Sequence, residues 1–150
     1  MTEYELRQVG GDATLTDAHA VRRAVFIAEQ GVSEDVEMDD KDEDATHFVA
    51  VVATHGSPVG TTRLRAVDED TVKIERVAVL PDHRGEGLGL RLMERAEAEA
   101  RTQGYTRVRL HAQSSVEGFY ERLGYRTSSE EFEEAGIPHV EMTKDLYSNN

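Results

Sequence analysis

Arg84, Gly85, Gly87 and Gly89 stand within the stretch LPDHRGEGLGLRLMERAEAEA, residues 80–100, where a turn runs directly into a helical sequence. The first amides of a helix lack an intrahelical partner and carry about half a positive charge, so a turn that leaves them bare suits an anion. Glycines let the backbone close on such a ligand and take up positive φ. Three phosphate-binding patterns compete for this turn. A P-loop needs G-x-x-x-x-G-K-[ST], and no Lys-Ser or Lys-Thr pair occurs in the chain. A dinucleotide turn needs G-x-G-x-x-G and an acid about 20 residues on, at the end of the next strand. Here the third glycine comes one residue early, and the next strand ends RVRLHA without an acid. The third pattern, R-x-x-G-x-G, is satisfied by Arg84, Gly87 and Gly89.

The elements that position this turn follow from periodicity. Alternation and β-branched content predict strands at Glu3–Gln8, Thr46–Ala53, Val59–Val67, Val72–Val79, Arg107–Ala112 and His139–Asp145. The turns THGSP and DED make the second, third and fourth of these antiparallel neighbours. TDAHAVRRAVFIAEQ reads as a helix capped by Thr16 or Asp17, with Ala20, Val21, Ala24, Val25 and Ala28 on its apolar side. Leu88, Leu92, Ala96 and Ala100 form the stripe of the helix after the glycines, and Gly104 stops it. SVEGFYERLGY is a short third helix ended by Gly124. The order β, α, β-meander, α, β, α, β predicts a mixed sheet with helices packed on it, an α/β or α+β architecture.

Composition narrows the class. The 150 residues suit one domain, 1–150. A domain of that size can bury about 70% of the surface its unfolded chain exposes. The absence of cysteine excludes disulfides and thiolate chemistry. No signal peptide and no membrane span is read, so a cytoplasmic protein is expected. A formal charge of −13 argues against a nucleic-acid partner. With Lys41, Lys73 and Lys144 the only lysines, the balance is that expected of a halophile, whose salty cytoplasm screens an acidic surface. The segment SEDVEMDDKDED, residues 33–44, lacks the EF-hand ligand spacing and reads as a solvated loop, at most bordering a pocket for a cationic substrate. No close-spaced histidine pair suggests zinc, and no metal is expected.

IERVAVLPDHRGEGLGLRLMERAEAEA resembles the central motif of the GNAT superfamily of N-acetyltransferases. HAQSSVEGFYERLGY is similar to the strand, loop and F-Y-x-x-x-G-[FY] helix of the same enzymes, with Phe119, Tyr120, Gly124 and Tyr125 in the pattern. VFIAEQGV, HF and EEFEEAGIPHVEM resemble the ElaA-like subgroup, and the likeness spans roughly residues 18 to 146. The resemblance implies a GNAT fold with a mixed, mostly antiparallel central sheet flanked by helices. It implies acetyl-CoA as cosubstrate, its diphosphate wrapped by main-chain NH groups of Arg84, Gly85, Glu86, Gly87, Leu88 and Gly89. Val77, Ala78 and Val79 would flank the pantetheine like a strand partner. Ser114, Phe119 and Tyr120 would complete the cofactor site. Glu86 departs from the basic or neutral residue common there, at small cost if its side chain points to solvent.

Acetyl transfer to an amine sets three tasks. An alkylammonium must lose a proton before it attacks, the developing oxyanion wants an NH donor, and the departing thiolate benefits from an acid. The resemblance implies Tyr120 as the acid, against a core tyrosine. It implies Glu75 as the base, directly or through water, against a surface glutamate. A backbone NH near Val77 or Ala78 is the expected oxyanion donor, aimed by a strand bulge. His47, His111 and His139 each fall on a predicted strand, where a lone histidine is more often structural, and His111 or His139 could replace Glu75 as base. Arg22 or Arg23 would hold an acidic substrate group or form a helix-surface ion pair. The expected activity is N-acetyl transfer to a primary amine, a small molecule above all, by direct attack in a ternary complex. An acyl-CoA sensor without catalysis is the alternative, and a strand-edge homodimer is compatible with the family.

Overall fold

A computed structural model describes residues 2–9 and 12–147, excepting the side chains of residues 12–14. The chain runs β1 (Tyr4–Val9), α1 (Asp12–Arg22), a π-helical continuation (Arg23–Glu29), α2 (Glu34–Glu37), β2 (Thr46–Val52), β3 (Pro58–Ala66) and β4 (Thr71–Val79). It continues through α3 (Leu88–Thr102), β5 (Arg107–Gln113), α4 (Glu117–Arg122), β6 (Arg126–Thr127), β7 (Phe132–Glu134) and β8 (Ile137–Asp145). These strands form one sheet in the order β1-β2-β3-β4-β5-β8-β6, with β7 also on β8. Every pairing is antiparallel except β4 with β5. No helix among the described residues is long and apolar enough to cross a membrane.

β2 shows why helices cover both faces. Phe48, Ala50 and Val52 pack with Leu88, Leu92, Met93 and Ala96 of α3, whereas Val49 and Val51 pack with Ala18 of α1. Alternate residues of one strand thus serve two apolar layers, as period 2 requires. Gly60 lets α3 come close: a Cβ there would lie 3.2 Å from a Leu92 methyl group. The predicted stripe Leu88, Leu92, Ala96 and Ala100 is buried, joined by Met93 and Glu97. Glu97 is satisfied by the Tyr125 hydroxyl at 2.7 Å and the Lys144 ammonium at 2.9 Å, which ties α3 to β8.

Three expectations are corrected here. The first helix begins at Asp12, so Thr16 and Asp17 are exposed positions within it rather than caps. Its buried stripe is Leu15, Ala18, Val21, Arg22 and Val25, while Ala20, Ala24 and Ala28 are exposed. Arg22 occupies a core position, and the wider π-helical turn that follows resets the phase. Finally, β6 and β7 were not anticipated. β7 and β8 form a hairpin whose connecting residues, Ala135 and Gly136, both have positive φ, 54° and 76°. That is the backbone of a type I′ turn, which asparagine, aspartate or glycine usually signals at the first position.

Candidate active site

β4 and β5 are hydrogen-bonded neighbours at only one end. Their parallel register joins Thr71, Val72 and Lys73 to Arg107, Val108 and Arg109, and stops there. Beyond it β4 bulges: Thr61 faces Ala78 while Arg63 faces Glu75, so Arg76 and Val77 share a single partner position on β3. Arg76 takes φ 58° to do this. The bulge appears where the sequence reading wanted one. The two strands diverge into a cleft of about 550 Å³, and β4 residues Glu75, Val77, Ala78 and Val79 line it together with Arg84, His111, Glu134, His139 and Tyr120. Leu80 NH donates to Val59 on β3 at 2.8 Å, so strand alternation turns the Ala78 NH to β3 and the Val77 NH to the open edge.

One wall of the cleft carries a cluster of paired charges, to which Glu37, Asp39, Arg63, Lys73, Glu75 and Arg76 all contribute. Arg63 is 1% exposed and donates to Asp39 at 2.8 and 3.0 Å, to Asp42 at 3.0 Å and, through Nε, to Glu75 at 2.9 Å. Arg65 donates to the other Glu75 oxygen at 2.7 Å, and the Lys73 ammonium lies 3.5 Å from it. Arg76 donates to Asp39 at 3.2 Å; its Nε sits 3.0 Å from Glu37, close but off line for a hydrogen bond. Arg22, 0% exposed, donates to Glu37 and Asp42, each at 2.8 Å. Buried charges need this degree of pairing. The acidic segment is therefore not simply a solvated loop: Glu37 and Asp42 are buried, Asp39 is half-buried, and all three are committed to arginines. Nor is Arg22 a surface residue or free for a substrate, while exposed Arg23 pairs with Glu34 at 3.3 Å.

Glu75 is correspondingly not a surface glutamate. Burial works to raise its pKa, but hydrogen bonds from Arg65 and Arg63 and their charge outweigh burial and hold it at about 2. A carboxylate so held is a poor proton acceptor. Asp39 is also held at about 2, its burial overcome by Arg63 and Arg76.

Imidazoles line the opposite wall. His111 Nδ1–H donates to Glu134 at 2.8 Å, with the Lys73 ammonium 3.4 Å from the same nitrogen and Glu141 3.6 Å from Nε2. The hydrogen bond from His111 holds Glu134 below the usual carboxylate range, against a smaller effect of burial. His139 Nδ1 lies 2.7 Å from the Ile137 carbonyl, which can only accept. The Phe132 ring sits between the two imidazoles, edge-on to His111 and stacked with His139. His47 lies elsewhere, 1% exposed, its Nε2–H bound to the Asp42 carbonyl at 3.0 Å. Glu134 was missed by the sequence reading, because the hairpin carrying it was missed.

Tyr120 is buried, and desolvation pushes its phenol up to about 12, so it stays protonated and available as a donor. Its hydroxyl meets no partner among the described residues. Phe119 packs edge-on to Tyr120 and touches the position a Gly89 Cβ would take, at 3.4 Å. The glycine turn is open: Gly85 and Gly87 have φ 82° and 78°, and nothing lies within 4 Å of a Cβ placed on either. Among the described residues no side chain caps α3, and no acidic residue sits in its first turn. Glu86 is exposed. Arg84, the member of the turn that lines the cleft, donates to the Val79 carbonyl at 2.9 Å and to Glu29 at 2.8 and 2.6 Å. Gly85, Glu86, Gly87, Leu88, Gly89, Phe119 and Ser114 do not line the cleft itself. Ser114 instead donates to Glu131 at 3.0 Å.

Residues 12–146 match the family model described as an acetyltransferase (GNAT) domain. The chain is 42% identical over 147 residues to the uncharacterized protein YyaT of Bacillus subtilis, covering 96% of this chain and 97% of that one. The crystal structure of Escherichia coli ElaA superposes with a TM-score of 0.81 at 27% identity, over 97% of this chain and 100% of that one. An acyl-CoA N-acyltransferase from Pseudomonas aeruginosa does so with a TM-score of 0.81 at 29% identity, over 96% and 99%.

Proposed function

The chain belongs to the GNAT acetyltransferase family, and on that premise we propose that it moves the acetyl group of acetyl-CoA to a primary amine, by direct attack within a ternary complex. The observation that carries this reading is the parting of β4 from β5, with a free strand edge on one side and the unpartnered Tyr120 hydroxyl within the same cleft. The residues present fit acetyl-CoA. The uncapped start of α3 and the open turn of Gly85 and Gly87 suit the diphosphate. The edge freed at Val77, with the Val79 NH beside it, suits the pantetheine amides, the Val79 carbonyl being held by Arg84. Arg84 braces the turn against Glu29, leaving the main-chain amides of residues 84–89 as the anion donors. Exposed Glu86 keeps its charge in solvent.

The roles of the chain's own groups follow. The Val77 NH, aimed by the bulge, donates to the thioester oxygen as negative charge gathers there. Tyr120 donates to the sulfur and gives up its proton as the C–S bond breaks; burial that raises the phenol also raises a thiol in the same cleft, which favours the transfer. With no cysteine in the chain, an acetyl-cysteine intermediate has no carrier.

Release of free CoA from acetyl-CoA in the presence of a panel of small primary amines tests this function. Tyr120→Phe is expected to slow that release by about 100-fold or more while acetyl-CoA affinity changes little. Tight acetyl-CoA binding with no release for any amine would favour the sensor reading. Equal losses of binding and rate in Tyr120→Phe would remove the acid role.

A further inference from the structure

Glu75 is spent on Arg63, Arg65 and Lys73, so the cleft's proton acceptor lies elsewhere. The geometry points to His139 Nε2 as the atom that takes the proton from the acceptor ammonium, with Glu134 as the positioning residue that steadies the resulting imidazolium; the assignment rests on the transferase reading above.

The argument begins with tautomers. The Ile137 carbonyl 2.7 Å from Nδ1 accepts, so Nδ1 carries the hydrogen and neutral His139 keeps its lone pair on Nε2. That nitrogen makes no hydrogen bond among the described residues; its nearest charged neighbour is Glu134 Oε2, at 3.9 Å. It is not sealed off, unlike His47 Nδ1, which is buried without a partner. His139 lines the cleft that holds Tyr120 and the Val77 edge. His111 is differently placed, with Glu134 against Nδ1 and Glu141 near Nε2. It serves instead as an anchor for Glu134, whose second oxygen is left facing His139. Around His139 stand Glu134 and Phe132 from β7 and, in register on β5, the neutral Gln113; the charges of Lys73 and Glu141 meet His111. Among the described residues a single carboxylate, that of Glu134, thus faces the imidazole directly, placed to meet the charge the ring gains when it takes the ammonium's proton.

The step balances without a further reactant. The ammonium gives one proton to His139 Nε2, and the freed nitrogen pair forms the C–N bond as the C–S bond breaks. The sulfur takes the phenolic proton of Tyr120, the nitrogen passes its second proton to the phenolate as the amide forms, and His139 releases the first to solvent. One proton goes to thiol and one to solvent, and both residues return to their starting states.

Two measurements test this. In the first, CoA release with a turned-over amine is followed against pH for the wild type, His139→Gln and Glu134→Gln. His139→Gln is expected to lose about 100-fold in kcat near pH 7 and to recover as pH approaches the amine's own pKa, about 10, where the nucleophile needs no base. Glu134→Gln should lower kcat with the KM for acetyl-CoA unchanged. A His139→Gln profile parallel to the wild type, with no recovery at high pH, overturns the proposal. The second measurement is imidazole nitrogen NMR of the wild-type protein, expected to find His139 protonated at Nδ1 and bare at Nε2. A hydrogen on Nε2 in the neutral ring overturns the proposal whether or not any amine is acetylated. Failure of the transferase reading has its own mark, acetyl-CoA bound but never consumed.

Discussion

Glu75 is a carboxylate whose protonation state reports on folding more than on chemistry. Its folded pKa of about 2, and that of Asp39, lie below the ordinary carboxylate values of the unfolded chain. As pH falls, the unfolded chain therefore takes up protons first, and the equilibrium moves toward it. Stability contributed by these two groups is complete above about pH 4.5 and drains between there and about pH 2. Denaturant midpoints measured across that window should decline steeply, and Glu75→Gln, with no proton to gain there, should flatten part of the decline. A midpoint flat to pH 2 would mean that the arginine cluster does not form. None of this was readable beforehand. Arg63 lies far along the chain from Asp39 and Asp42, and nothing in the run VGTTRLRA marks one arginine as a core residue. Tyr120, by contrast, was marked by its place in a spaced motif, and the glycines by the helix they precede.

At the scale of elements, legibility followed local chemistry. The strand–turn–helix unit of β4 and α3 was clear because alternation, glycines and a 3.6-residue stripe change over within a few residues. The β7–β8 hairpin was opaque because Ala135 occupies a position where φ is 54° and a turn former is expected. Left-handed backbone costs an L-residue about 1–2 kcal/mol, less for asparagine. Ala135→Asn is therefore expected to stabilise the protein by up to about 1 kcal/mol, seen as a raised denaturant midpoint with unchanged slope. An unchanged or lowered midpoint would mean that the turn relaxes away from this geometry. The first helix was misphased for a related reason. A charged residue, Arg22, holds a buried place where the apolar pattern was sought, and the π-helical turn after it breaks the period.

Across the whole molecule, charge is the dominant trait. A net charge of −13 repels itself wherever carboxylates stand exposed, as Asp40, Glu43 and Asp44 do. Salt shortens the reach of that repulsion from about 10 Å at 0.1 M to about 3 Å at 1 M, while buried pairs are screened far less. The melting temperature should therefore rise by several degrees between low salt and about 1 M KCl, and a fall over that range would show that the interior pairs outweigh the surface. The unfinished junction between β4 and β5 has a consequence of its own. Among the described residues three residue pairs form the ladder between the four leading strands and the remainder, extended by the Thr106 and Arg107 NH groups donating to the Asp70 carbonyl, while a shared apolar core and Glu97 of α3 join the two groups. A ligand seated between the parted ends would add main-chain bonds from one group of strands to the other, so filling the cleft should also raise the denaturant midpoint of the whole sheet.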